Sequence, residues 1–138
     1  MMKPFNLSAN MTNMRGVFYP TGHMVLMFPT EEEARHASEL LRKDGVPEDD
    51  LCLASPQEFE RQISDAIDDY EDVLLPSVGT EVETGRRFRH LAHHGHHALI
   101  GHAAAPLGSD HVLDVLHGMR ISYGQRYRHL VIEDLVSQ

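Results

Sequence analysis

Two strand–helix–strand patterns constrain the fold of this 138-residue chain more than any other feature. In the first, an apolar run at residues 23–28 is followed by the helical stretch TEEEARHASELLRKDG and a second strand-like run at residues 49–55. A helical connection of this length is a crossover, so we expect these two strands to be parallel. In the second pattern, a strand at residues 96–103 is followed by a helix from Ser109 and a fourth strand at residues 126–135.

The helix of the first pattern has recognisable start and stop residues. Thr30 can cap its first amides, and Glu33 stands at the capping-box spacing, three residues later. Gly45 follows two basic residues and is expected to end the helix. Between the two patterns, residues 56–95 contain two further helical stretches, which we interpret as an inserted helical pair.

Two right-handed crossover units that share one sheet give the ferredoxin-like arrangement. We therefore predict an α+β fold with a four-stranded antiparallel sheet in the order 4-1-3-2 and both crossover helices on one face. The length is ordinary for one domain, which we place at residues 16–138 after a flexible arm at residues 1–15. The second sheet face is uncovered in this arrangement unless the inserted helices dock on it.

Residues 16–55, GVFYPTGHMVLMFPTEEEARHASELLRKDGVPEDDLCLAS, resemble the first half of the bacterial general-stress (heat-induced stress protein) family. In that family an opening strand precedes T-x-E-E-A, a helix, a glycine, and D-D-[IL] before the next strand. The residues in those places here are Thr30, Glu32, Glu33, Ala34, Gly45, Asp49, Asp50 and Leu51. The layout after residue 96 also fits, whereas the acidic and histidine-rich middle departs from the family. The resemblance implies a ferredoxin-like fold and a link to the stress response, and it transfers no catalytic residue.

The composition argues against several classes of function. The net charge of −9, with histidine counted as neutral, disfavours nucleic-acid binding by counterion release. No segment approaches the roughly 18 apolar residues that a membrane span requires, so we expect no membrane association. Cys52 is the only cysteine, which fits a reducing compartment, and we expect a cytoplasmic location. The sequence contains no phosphate-binding loop, nucleophile elbow or dinucleotide fingerprint, so it identifies neither a cofactor nor a small-molecule ligand.

Six of the eleven histidines lie in the segment RFRHLAHHGHHALIGH, residues 87–102. His90 and His94 are one helical turn apart, and with His97 they are candidate ligands for Zn²⁺ or Ni²⁺. The alternative is that these histidines gather at a helix C-terminus, where imidazoles bond the last carbonyls and interact favourably with the helix dipole. Both interpretations stay open at the level of the sequence.

A second group of candidates comes from the predicted sheet. If Leu26, Leu99 and Ile132 point toward the crossover helices, the alternation of side chains gives the open face a half-apolar composition. Its polar members are His23, His102, Tyr127, His129 and Glu133, and its apolar members include Val25, Met27, Ala98, Ile100 and Val131. An uncovered face of this kind is unusual on a monomer, so we expect a homodimer through it.

Three functions follow in order of preference. The first is a non-enzymatic, self-associating interaction or regulatory module related to stress. The second is a histidine-based sensor of metal or pH, because eleven ionisable imidazoles are enough to cancel the net charge of −9. The third is a small α+β enzyme in which His23, His102 and Glu133 form an acid/base site.

Overall fold

The computed structural model describes residues 3–4, 22–67, 79–102, 109–128 and 131–136. These residues form one mixed sheet with helices on both faces. The strands are β1 (Lys3–Pro4), β2 (His23–Phe28), β3 (Leu51–Ala54), β4 (His97–His102), β5 (Tyr123–Arg128) and β6 (Val131–Val136). The helices are α1 (Glu31–Lys43), α2 (Pro56–Ile67), α3 (Gly79–His93) and α4 (Ser109–Val115).

The strand order in the sheet is β1-β3-β4-β2-β5-β6. All neighbouring pairs from β3 to β6 are antiparallel, and the two-residue strand β1 pairs with β3 in parallel. Because β2 and β3 both run antiparallel to β4, they are parallel to each other, as the crossover predicted. The predicted α+β class is therefore confirmed.

The fourth predicted strand is wrong in one respect, because residues 126–135 do not form a single strand. The segment is divided between β5, which pairs with β2, and β6, which folds back on β5 and forms an edge of the sheet. The pairing of Arg128 with Val131 closes this hairpin. The sequence has no Gly or Pro there that would predict a turn, and its alternation of side chains continues without a break. The sheet is consequently wider than the four strands predicted.

Helix α1 forms where the capping pattern predicted it. Thr30 has extended backbone, and its hydroxyl oxygen accepts a hydrogen bond from the Glu33 amide at 3.2 Å. Gly45, with φ of +105°, follows the end of the helix in the left-handed conformation that glycine adopts without strain. The core beneath α1 and α4 is made of Met24, Leu26, Phe28, Ala34, Ala37, Leu41, Val46, Leu51, Leu99, Val112 and Leu116.

The sheet face that was predicted to be open is covered by α2 and α3, which corrects the premise of the proposed homodimer interface. The strand residues Val25, Met27, Ala98 and Ile100 are at most 3% exposed. They lie in one buried cluster with Ala54, Phe59, Ile63, Phe88, Ala92 and Tyr123. The inserted helices dock there because each presents large apolar side chains at helical spacing, so the chain itself buries the apolar surface assigned to a second copy.

In the part of the chain that the structure describes, no helix combines the length and apolarity required to cross a membrane.

Candidate functional site

A tight turn between α3 and β4 brings five histidines close together. Gly95 has φ of +88°, and its amide bonds the Ala92 carbonyl at 3.0 Å, while the His96 amide bonds the Leu91 carbonyl at 3.0 Å. These two bonds close the end of the helix in the manner of a Schellman motif. The chain therefore reverses directly from α3 into β4, with histidines at positions 90, 93, 94, 96 and 97 around the reversal.

His90 and His94 are neighbours on α3, whereas the structure places His97 apart from them. The two rings are 4.3 Å apart between centroids, and His94 donates from Nδ1 to the His90 carbonyl oxygen at 2.8 Å. His97 lies on the other side of the sheet, in a small pocket with Glu31 and Arg35 of α1. Within the described residues, no three potential metal ligands come together. The arrangement of His94 instead matches the helix-end alternative.

His96 and His97 are half-buried, and burial lowers the pKa of both imidazoles. For His96 the neighbouring His94 and His97 lower the pKa further, and Nδ1 is hydrogen-bonded to the Ser122 hydroxyl at 2.8 Å. For His97 the carboxylate of Glu31 opposes the effect of burial, while Arg35 adds to it. Since an unperturbed histidine titrates near about pH 6.5, both rings are neutral at pH 7.

His93 links the two helices that cover the sheet. Its Nδ1 donates to the Glu60 carboxylate of α2 at 2.8 Å. The His93 side chain is largely exposed, so solvent weakens this ion pair even when the imidazole is protonated. The contact nevertheless joins the histidine-rich turn to α2 as well as to α3.

A cleft of about 700 Å³ lies beside the turn, between α3 and the connection from α4 to β5. Its apolar lining is Pro29, Leu91, Leu113, Leu116, Met119, Ile121 and Val136, and its polar lining is Arg87, His96, His117, Arg120 and Ser122. The described residues of the lining include no carboxylate. Both arginines are positioned by contacts. The Arg87 guanidinium lies 5.0 Å from the centroid of the Tyr123 ring, and Arg120 bonds the Glu33 carboxylate through two nitrogens.

The residues assigned to the open sheet face are only partly brought together. His23 and His102 are partners in the β2–β4 register, and their rings meet edge to face with centroids 5.0 Å apart. Glu133 pairs in register with Arg126, and it is Ile132 that packs against the buried cluster beneath α2 and α3. In β6 the predicted orientation was therefore reversed, because the hairpin changes which residues share a face, whereas the register of β5 keeps Tyr127 on the face of Val25 and Met27.

The remaining candidates of that face are known only from the backbone register or lie outside the described residues. Tyr127 is the register partner of Ile132 in β5, and His129 lies outside the described residues. A polar contact between β5 and β6 joins the Gln125 side-chain amide to the Asp134 carboxylate at 2.7 Å. Cys52 lies half-buried in β3 against the same apolar cluster, as a structural thiol would.

Sequence reasoning missed the cleft, although it singled out one of its residues as part of the histidine cluster. Its polar residues come from α3, the α3–β4 turn and the segment before β5, and no periodic pattern connects them. The only local indication is the run GMRIS at residues 118–122, where apolar and basic residues follow a helix without forming another element. Such a run is also typical of an ordinary loop.

Comparison with known proteins yields no relative: no family model matches the chain, and no curated protein and no solved structure is similar to it.

Proposed function

We propose that this protein is a non-enzymatic regulatory module of ferredoxin-like organisation whose folded state responds to pH through the histidines of the α3–β4 turn. The observation that supports the proposal is the placement of His96 and His97. These adjacent imidazoles are half-buried on the two sides of the sheet, at the point where the covering helices join it. Protonation of these two rings places positive charge in half-buried positions on both sides of the sheet.

The groups that face His96 favour its neutral form. Ser122 is its hydrogen-bond partner, and the other ionisable groups near it are His94, His97 and the cationic lining of the cleft. Because these neighbours are neutral or positive, protonation of His96 is opposed by charge as well as by burial. His97 faces Glu31 and Arg35, whose opposite charges act on it in opposite directions, so burial determines its pKa.

The sign of the resulting pH dependence follows from the lowered pKa values. Below about pH 6.5 the unfolded chain takes up protons at these two positions that the folded chain does not. The stabilisation is therefore complete above that pH and is lost as the pH falls toward the pKa values of the folded state. Each histidine contributes a slope of at most about 1.4 kcal/mol per pH unit.

Four further points shape the proposal. The order β3-β4-β2-β5, with α1 and α4 on one face, supports the ferredoxin-like description, with β1 and β6 as edge additions. Among the described hydrogen bonds, the partner of the His96 ring is the Ser122 hydroxyl and not a carboxylate. A catalytic histidine is usually oriented by such a third group, so this arrangement favours a non-enzymatic role. Self-association through the sheet face is not retained, because that face is covered. The link to the stress response rests on the resemblance of residues 16–55.

Equilibrium urea denaturation between about pH 7.5 and 5.5 tests the proposal. We expect the unfolding free energy of the wild type to decrease as the pH falls, and a His96→Gln/His97→Gln variant to lose a large part of that decrease. His36→Gln is the matched control, since His36 is exposed on α1. An equally steep decrease in the double variant and the wild type would contradict the proposal. A nuclear magnetic resonance titration of the imidazoles measures the two pKa values directly.

A further inference from the structure

We infer that the pocket beside His97 is a binding site for a small zwitterion of the α-amino acid class, such as glycine or alanine. The pocket has a volume of about 210 Å³ and is lined by Glu31, Arg35, Leu53, Ala54, Ser55 and His97. This volume is below the range of roughly 300–1,000 Å³ that is usual for sites of drug-sized ligands, so the pocket suits a smaller molecule. Binding involves the neutral His97 ring at a fixed pH, so it does not depend on the pH response proposed above.

The pocket lies at the edge of the sheet where β2 and β3 both end. Strand β2 continues into α1 on one face of the sheet, whereas β3 continues into α2 on the opposite face. The strand between them, β4, begins at the same edge with His97. In open α/β sheets, connections that leave toward opposite faces open a crevice at the carboxyl ends of the strands, and ligands bind there. The same geometry arises at this edge, so the connectivity of the chain creates the recess.

The lining contains hydrogen-bonding groups that the described residues leave available. The His97 ring is half-buried, yet it makes no hydrogen bond within the described part of the chain. The Ser55 hydroxyl accepts a bond from the Glu58 amide at 3.3 Å, which leaves its own proton to donate. Two nitrogens of Arg35 bond the same oxygen of Glu31, Oε1, and no described group bonds Oε2. Because polar groups without partners are costly, a ligand that completes these hydrogen bonds is favoured.

The charges of the lining favour a zwitterion over an ion of one sign. The pocket contains one carboxylate, Glu31, and one guanidinium, Arg35. A ligand with a single charge is attracted by one of these groups and repelled by the other. The ammonium and the carboxylate of an amino acid can face the two opposite charges together. Both side chains are more than half exposed, so solvent weakens each attraction, and we expect a dissociation constant of about 1 mM.

A nuclear magnetic resonance titration with alanine at about pH 7.5 tests this inference. We expect saturable shifts of the His97 ring and of the amides of residues 53–55. Propionate and ethylammonium are the matched probes, since each keeps the carbon chain of alanine and only one of its charges. Each should bind at least about tenfold more weakly than alanine, because each lacks one charge-assisted hydrogen bond.

Two variants place the binding in this pocket through a change of preference. Arg35→Gln should weaken alanine binding about tenfold and leave ethylammonium bound at least as tightly as alanine, since only the Glu31 carboxylate remains. Glu31→Gln should have the converse effect and leave propionate bound at least as tightly as alanine. Arg61→Gln is the control, because it removes a similarly exposed arginine from an ion pair outside the pocket, and it should leave the affinity for alanine unchanged.

Four results would overturn the inference. They are the absence of saturable shifts up to about 50 mM alanine, equal affinity for either matched probe, unchanged affinity in both pocket variants, and an equal loss in Arg61→Gln. The titration is made at one pH, and the pH dependence of unfolding is measured without alanine, so this site and the proposed function can fail separately.

Discussion

The replacement Phe88→Ala tests whether α3 covers the sheet. Phe88 is 0% exposed, and its ring meets Phe59 of α2 at 6.0 Å and Tyr123 of β5 at 5.0 Å between centroids. Truncation of a buried Phe to Ala costs about 3–5 kcal/mol, because transfer free energy is lost and a cavity remains. The loss of two aromatic contacts places this site in the upper part of that range. A domain of ordinary stability, about 5–15 kcal/mol, would lose roughly a quarter or more of it.

Urea denaturation of the wild type and variant at pH 7.5 measures this loss directly. Phe88→Leu keeps most of the volume, so we expect it to cost less than about 1.5 kcal/mol. Arg86→Ala is the control on the same helix, because its ion pair with Glu83 is exposed and contributes at most about 0.5 kcal/mol. If Phe88→Ala cost less than about 1 kcal/mol, α3 would not be packed on the sheet, and the face would be open to a partner after all.

Three further predictions concern the sheet, the first helix and the histidines. Gly124→Ala should destabilise the fold by about 1–3 kcal/mol in urea denaturation, because a Cβ there would lie 2.7 Å from Cδ2 of the buried Leu26. Gly101→Ala is the control and should cost clearly less, because the nearest atom to its Cβ lies 3.4 Å away. Thr30→Ala should cost about 1 kcal/mol and speed hydrogen exchange in the first turn of α1, whereas Thr30→Ser should have little effect. Any affinity for Zn²⁺ or Ni²⁺ should be unchanged in His97→Ala, and a decrease measured by calorimetry would show that this residue is a ligand.

Local patterns in the sequence were sufficient for the elements and much of the connectivity. The cap at Thr30, the glycine after α1 and the strand at residues 23–28 were all predicted, because each depends on residues within one turn or on a short continuous apolar run. The crossover length predicted that β2 and β3 run in the same direction. The inserted helical pair was also predicted, although its inward residue Phe88 was not assigned to the buried face.

The tertiary structure decided which surfaces remain exposed and which side chains the histidines contact. The division of residues 126–135 into two strands changed which side chains share a face, since a strand shifted by one residue exposes its opposite set. The docking of α2 and α3 removed the face that had been assigned to a homodimer.

The side-chain partners that define the candidate site are distant in the chain. His96 bonds Ser122, 26 residues away, and Arg120 bonds Glu33, 87 residues away. A capping residue can be predicted from the adjacent sequence, because its hydrogen-bond partner is a backbone group three positions along the chain. Contacts between remote side chains depend on strand register and helix docking, and these are fixed only when the whole apolar core is packed.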